Sequence, residues 1–385
     1  MFQNILIALI LGFFTFGGFS SAQQTTASRC STMLRYGGFC QDRRQSCPSG
    51  TYEYPTFSNF LGCLRADQIC CARQAGQGSF MNPTAPIVPN PPQNCGLGGG
   101  LLRSRILGGR ITGPCDWPFV VSIRGLIRGR TQLTYDNTVH SCAGVLIANN
   151  WVLTSPFCVL SAGSSAQQAP QNILVVASEY NVTVIDLDPL TGRQQEQLKF
   201  VERAFLHPSF RYSNINEMTP PTDAIGINSN AVALLKLRTP ITGSCAGVAC
   251  LPTPQETAKA CASYDNCVIS GWGFSTDIIS EDQLVQTLLL GQNRLSSRVA
   301  CDFLSRRLGL QAGRPAGTTC QGPQSTVTDG CLGDEGGAIL CNSNGRNWVV
   351  RGILPFNLCV SGQYNMFVTD VAPYMQWIYS TMQRY

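Results

Sequence analysis

Nineteen cysteines in 385 residues limit what this chain can become more than any other feature. Cysteine at that density is expected to be mostly disulfide-bonded, which requires an oxidising, extracellular compartment. The cysteines fall into two groups. Cys30, Cys40, Cys47, Cys63 and the adjacent Cys70-Cys71 form a compact set near the front, and the remainder begin at Cys95. A segment as short as 30–71 cannot bury much apolar surface, so disulfides are expected to supply its stability. From Ala72 to Asn94 the chain is rich in Pro, Gln, Asn and Gly, including Asn90-Pro91-Pro92. That composition predicts an extended linker, taken as 72–105. Beyond it, short Val/Ile/Leu-rich runs bounded by Gly, Pro and Asn predict an all-β domain over 106–385, with Tyr374 to Met382 as a short closing helix.

Residues Ile5 to Phe14 are almost wholly apolar and lead to Ser20-Ser21-Ala22, a pattern suited to removal of residues 1–22 as a signal peptide. The run is too short and too N-terminal to predict a membrane span in the mature protein. Asn181-Val182-Thr183 is a glycosylation sequon. The net charge of +5 is modest for this length, and nothing points to nucleic acid. No repeat, phosphate-binding loop or metal-ligand pattern is visible. With two histidines and most cysteines committed to disulfides, no zinc site and no cofactor are expected.

Several motifs occur in a fixed order. They are Cys142-Ala143-Gly144-Val145-Leu146-Ile147, Trp151-Val152-Leu153-Thr154-Ser155-Pro156-Phe157-Cys158, Ala233-Leu234-Leu235-Lys236-Leu237, Cys250-Leu251-Pro252, Ser270-Gly271-Trp272-Gly273, Gly333-Asp334-Glu335-Gly336-Gly337 and Trp377-Ile378. This series, over about Ile106 to Tyr385, resembles the chymotrypsin-like (S1) serine proteases. The resemblance implies a double six-stranded β-barrel with a C-terminal helix.

That family works with a hydroxyl nucleophile, an imidazole that takes its proton and a carboxylate that orients the imidazole. By position, the resemblance places Phe157 where the family has histidine, Ala231 where it has aspartate and Glu335 where it has serine. A phenyl ring cannot accept a proton, and a methyl group orients nothing. Glu335 brings negative charge to the backbone N–H groups that would receive the oxyanion. Three fates are open to it: a neutralised relic, a carboxylate that accepts N–H bonds near Gly333, or a rival of Asp334 for an ammonium group. His140 and His207 stand where active members also carry structural histidines. Asp223 would have no imidazole to orient. Loss of a triad member typically removes about 10⁴ to 10⁶ in turnover, so a non-enzyme is expected.

The implied substrate pocket is altered as well. Asp329 matches a floor position that favours Lys or Arg, whereas Asn357 and Met366 replace wall glycines and are expected to narrow or fill the slot. Arg105-Ile106-Leu107-Gly108-Gly109 resembles the activation site, with Arg103 as an alternative cleavage point. In the family, the freed ammonium of the residue matching Ile106 pairs with the aspartate matching Asp334, so a proteolytic switch is expected to survive. The resemblance further implies Cys142–Cys158, Cys267–Cys341, Cys301–Cys320, Cys331–Cys359 and a tether Cys95–Cys250. It leaves Cys115, Cys245 and Cys261 unassigned.

The front set resembles clip domains and β-defensin-like modules. Those families imply Cys30–Cys70, Cys40–Cys63 and Cys47–Cys71. Arg29, Arg35, Arg43, Arg44 and Arg65 make the segment basic, a charge that favours anionic surfaces. Three functions follow as expectations. One is a secreted regulatory homologue that binds active serine proteases, their zymogen substrates or inhibitors in an extracellular cascade. The second is a microbial-surface recognition or adhesion protein, and the third an enzyme using unconventional groups.

Overall fold

The computed structural model describes residues 39–42, 51–54, 68–73, 94–98, 110–163, 165–187, 191–210, 229–243, 245–253, 264–273, 286–307, 314–322, 330, 333–342, 347–355 and 367–385. The chain divides into two compact units, residues 1–84 and 85–385. The signal segment 1–22, the bond Arg105-Ile106, the pocket residues Asp329, Asn357 and Met366, and Cys30, Cys47, Cys63, Cys261, Cys331 and Cys359 lie outside the described residues.

In the first unit, β1 (Phe39–Asp42), β2 (Thr51–Tyr54) and β3 (Gln68–Arg73) form an antiparallel sheet in the order β1-β3-β2. Cys40 stands opposite Cys70, and Cys71 lies between Phe39 and Glu53. Strand β3 runs on to Arg73, so Ala72 and Arg73 belong to the sheet and not to the predicted linker. The linker's other end is also corrected. Gly96 donates its N–H to Val248 (2.6 Å), and its carbonyl accepts the N–H of Trp348 (3.0 Å). The segment 94–98 is therefore laid onto the second unit.

The second unit is all-β and opens with β4 (Arg110–Ile111). Next come β5 (Val120–Leu126), β6 (Thr138–Ala148), β7 (Trp151–Thr154), β8 (Ile173–Ala177), β9 (Gln197–Leu206) and β10 (Ala233–Leu237). Strands β5 to β10 close into a barrel in the order β10-β7-β6-β5-β8-β9. Their β-branched and leucine side chains form one interior, with Val121, Val145, Leu153, Val175 and Leu234 buried. The remaining strands are β11 (Tyr264–Gly271), β12 (Leu289–Leu295), β13 (Thr318–Cys320), β14 (Ala338–Cys341), β15 (Val349–Ile353) and β16 (Phe367–Asp370). They follow the order β13-β16-β15-β14-β11-β12, with β4 added at the β12 edge. A bridge between Leu295 and Gln321, reinforced by Ser296 N–H to Cys320 O at 2.9 Å, joins the two ends of that order. The second set of six strands thus curls into a half-barrel beside the closed one, giving the chymotrypsin-like pair.

Among the described residues of the unit there are three α-helices: α1 (Pro156–Leu160), α2 (Arg298–Arg307) and α3 (Met375–Arg384). Helix α3 starts one residue later and ends two residues later than predicted, because a 3₁₀ turn, Ala372–Tyr374, precedes it. It buries Met375, Ile378 and Tyr379 at helical spacing against the main core. Disulfides pin these parts together. Cys142–Cys158 links β6 to α1, Cys267–Cys341 joins facing residues of β11 and β14, Cys301–Cys320 ties α2 to β13, and Cys95–Cys250 holds the segment 94–98. Cys115 bonds to Cys245, a pair that sequence could not assign, and the scheme then leaves Cys261 over.

The barrels are latched where their strands end. Thr369, fully buried on β16, donates its hydroxyl to the carbonyl of Ala231 just before β10, at 2.9 Å. Replacing it by the isosteric valine strands that carbonyl away from water. Thr369→Val is expected to cost about 1–3 kcal/mol, read by chemical denaturation.

Candidate functional site

The loop Gly333–Gly337 leads into β14 and meets the first barrel with no gap. Gly336 has φ +78, and a Cβ there would collide with Thr154 Oγ1, the Ala143 carbonyl and Cys158 Sγ. Only glycine fits, both for backbone conformation and for space. Next to it, Glu335 is 1% exposed, and its carbonyl accepts the Ala143 N–H at 2.8 Å. That hydrogen bond fastens the loop to β6.

The three positions that the resemblance matches to the triad lie in α1, just before β10 and in this loop. Phe157 lies in α1, which follows β7 directly; Ser155 caps that helix, its hydroxyl accepting the Phe157 N–H at 3.3 Å. The phenyl ring packs half-buried against the main core. Ala231 precedes β10, whose Ala233 stands opposite Thr154 of β7. Its neighbour Asn230 adopts φ +54 and is held by Ser209 O (3.2 Å) and by the Tyr374 hydroxyl (3.0 Å). Cys158 Sγ lies 3.2 Å from the Glu335 carbonyl. Cys158 thus carries the neighbouring Phe157 to the loop, while Ala231 is placed by β10 and by the Thr369 hydroxyl.

Of the fates open to Glu335, the structure displays one. Its Oε2 accepts the Gly333 N–H at 2.8 Å. By the resemblance, that N–H is a donor that would face a substrate oxyanion; here it faces a side chain of its own loop. Gly333 is held from its other side too, because its carbonyl lies 2.9 Å from His140 Nε2. A carbonyl only accepts, so Nε2 carries the proton, and Nδ1 accepts from the Ser122 hydroxyl at 2.8 Å. Burial, aided by the Arg124 charge, lowers the His140 pKa to about 4 against the opposing pull of the Gly333 bond. The imidazole is thus a neutral brace at physiological pH. His207 is equally committed, with its ring edge-on to Tyr374 and Trp377 and Nδ1 accepting the Ser209 N–H at 3.2 Å; burial lowers its pKa. Asp334 turns away from Glu335, and its Oδ1 accepts the Gly273 N–H at 2.7 Å. It lies so close over Gly271 and Gly273 that a side chain at either would strike the carboxylate.

One cluster escaped the sequence reading, which found no metal-ligand pattern. Glu179, Asp186 and Glu196 bring one carboxylate oxygen each within 4.8 Å of one another, from a loop that folds back on itself. Asp186 accepts the N–H groups of Tyr180 and Asn181, and Glu196 accepts that of Asp186 at 3.1 Å. Arg124 reaches in from β5, with Nη1 at 3.9 Å from Glu179. Glu179 is raised well above the carboxylate range by burial first, then by the charge and hydrogen bond of Glu196; Arg124 opposes this. Burial also raises Glu196. This all-oxygen set, with Glu179 and Glu196 buried, suits a hard cation such as Ca²⁺. Widely spaced acids around a loop gave no linear signal. The sequon lies on the same loop, where Asn181 Oδ1 accepts from both the N–H and the hydroxyl of Thr183, at 3.0 and 2.7 Å.

The trypsin family model matches residues 106–378. Chymotrypsin-like elastase family member 1 of Macaca fascicularis is 29% identical over 287 residues, covering 73% of this chain and 90% of its own length. Ovochymase of Halocynthia roretzi is 26% identical over 291 residues, or 72% of this chain, which spans only 15% of the ovochymase length.

Two outcomes are expected here. Gly336→Ala forces a positive φ and overlaps β6, costing at least about 2–5 kcal/mol and lowering the melting temperature. In the acidic cluster, the raised folded-state pKa values mean that the folded state holds protons which the unfolded state has released. With chelator present, this contribution should be full near about pH 4 and fade as pH rises through neutrality. Calorimetry between about pH 5 and about pH 9 should show that loss, Ca²⁺ should reverse it at the alkaline end, and Glu179→Gln should flatten both responses.

Proposed function

The chain belongs to the trypsin family, and on that premise we propose that it binds proteins of an extracellular proteolytic or innate-immune cascade without cleaving peptides itself. The observation that carries this reading is Glu335. Its carboxylate stands where the family has its nucleophile and accepts the Gly333 N–H that would serve a substrate oxyanion. A carboxylate so placed repels a developing negative charge instead of stabilising it. The reading also draws on Phe157, which offers no lone pair to take a proton, and on Ala231, which offers no charge to orient a base. A scaffold built around a peptide-binding cleft retains its loops when its chemistry is gone, and such loops remain available to partners.

Secretion is part of the proposal. Five disulfides among the described residues suit an oxidising compartment, and no described helix is long and apolar enough to cross a membrane. The Arg105-Ile106 bond is proposed as the control point, with Asp334 as acceptor for the ammonium that cleavage would create. An ion pair buried there would make the cut form conformationally distinct, because leaving one partner alone costs several kcal/mol. The partners are expected to be active serine proteases, their zymogens or their inhibitors.

A second reading rests on the front unit. Its basic residues Arg29, Arg35, Arg43, Arg44 and Arg65 favour an anionic microbial surface, with the barrel unit as scaffold. Removal of residues up to Ala72 separates the two, since it would abolish microbial binding under this reading and spare the body's effect on a partner protease under the first.

The decisive test is chemical. The secreted protein, intact and after cutting by a trypsin-like protease, is exposed to a broad peptide library and to a serine-directed fluorophosphonate. Neither hydrolysis nor labelling is expected, and Glu335→Ser should restore no turnover because Phe157 and Ala231 remain. Hydrolysis by the unmodified protein at a rate that purification does not remove would overturn the reading.

A further inference from the structure

Helix α2 is held firmly from beneath and presents its opposite side to solvent. Cys301 is bonded to Cys320 and packs with Phe367 and Leu304, while Ser305 is buried and hydrogen-bonds back to the Asp302 carbonyl at 3.0 Å. With 3.6 residues per turn, the positions facing away from Cys301 and Ser305 are Val299, Phe303, Arg306 and Arg307, all within an arc of about 100°. Val299 is 43% and Phe303 58% exposed, and both arginines are exposed.

The charge on this face is uncompensated among the described residues. Asp302, the acid of the helix, is engaged by Arg314 Nε at 2.8 Å. No described carboxylate pairs with Arg306 or Arg307. Two apolar side chains followed by two guanidinium groups therefore form a ridge that is apolar at one end and cationic at the other.

We propose that this ridge is a docking surface for an acidic segment of a partner protein that places an apolar side chain on Phe303 and carboxylates on Arg306 and Arg307. The stretch from Val299 to Arg307 rises about 12 Å, the reach of about four residues of extended chain. That length fits a motif with an apolar residue at one end and two acids at the other. Guanidinium groups bind carboxylates through paired N–H donors, and an aromatic ring gives contact area at little rotamer cost. The disulfide beneath the helix means that little ordering remains to oppose binding. The surface is independent of whether the barrel cleaves peptides.

The experiment uses the full-length secreted protein and a labelled peptide of sequence Leu-Phe-Ser-Glu-Glu, with Leu-Phe-Ser-Lys-Lys as its counterpart. Fluorescence anisotropy should give a Kd of about 10⁻⁴ M for the acidic peptide, weakening as salt rises, and no binding for the basic one. Arg306→Glu with Arg307→Glu should weaken the acidic peptide roughly tenfold or more and admit the basic one. Phe303→Ser should weaken binding without changing its salt dependence. All replaced side chains are exposed, so an unchanged melting temperature verifies the fold, and the arginine variant stands alone if Phe303→Ser fails to fold. The proposal is overturned if the acidic peptide does not bind or if the arginine variant binds it equally. Binding to phosphatidylserine vesicles without peptide binding would assign the ridge to a membrane surface instead. Self-association abolished by Phe303→Ser would assign it to a second copy of the chain; both results count against the proposal.

Discussion

The junction between the barrels is set first along one contact line, in which the Glu335 carbonyl accepts the Ala143 N–H and Gly336 passes against Thr154 without a side chain. Two barrels can each satisfy most of their own backbone, but neither dictates where the other sits. The loop Gly333–Gly337 supplies that information from the second barrel, and β6 and β7 receive it. His140 adds a second fastening from β6 to Gly333, and Thr369 a third, from β16 to Ala231. Glu335, Ala231 and, next to Cys158, Phe157 therefore lie on the seam that sets the geometry. Replacement of their side chains need not disturb the backbone that carries them.

The occupants of those positions are integrated into packing and hydrogen bonding. Phe157 adds apolar area beside the main core, where an imidazole would bring a polar ring that needs partners. Ala231 is buried at 2% exposure, so a carboxylate there would bear a desolvation penalty unless an imidazole answered it. Glu335 answers the Gly333 N–H directly. Each side chain is thus accommodated by its immediate surroundings.

Much of this architecture is legible in the sequence because it is carried by local signals. Short Val/Ile/Leu runs between breakers mark the strands, and the closing helix is placed to within two residues at each end. What the sequence hides depends on residues meeting across long separations. Cys115 and Cys245 are partners across 130 residues, and an odd cysteine count blocks assignment by elimination. Glu179, Asp186 and Glu196 converge only after their loop folds, and Arg124 joins them from another strand. The outward face of α2 was equally hidden, because apolar spacing marks a stripe without saying whether the fold will cover it. The ends of the linker are hidden in the same way, since Ala72 and Arg73 complete a sheet and 94–98 lies along the body.

The Cys95–Cys250 bond carries a consequence of a different kind. A cut anywhere between Gly98 and Arg110 opens the polypeptide but leaves the front unit covalently joined to the body, through the chain on one side of the cut and the disulfide on the other. Front and body then remain in one-to-one proportion at every stage of processing. Once either unit engages a target, the other is confined near it at an effective concentration set by the tether rather than by secretion level. Two weak contacts can in this way act as one strong contact, and reduction of a single disulfide in the cut form would return them to dilute, separate species.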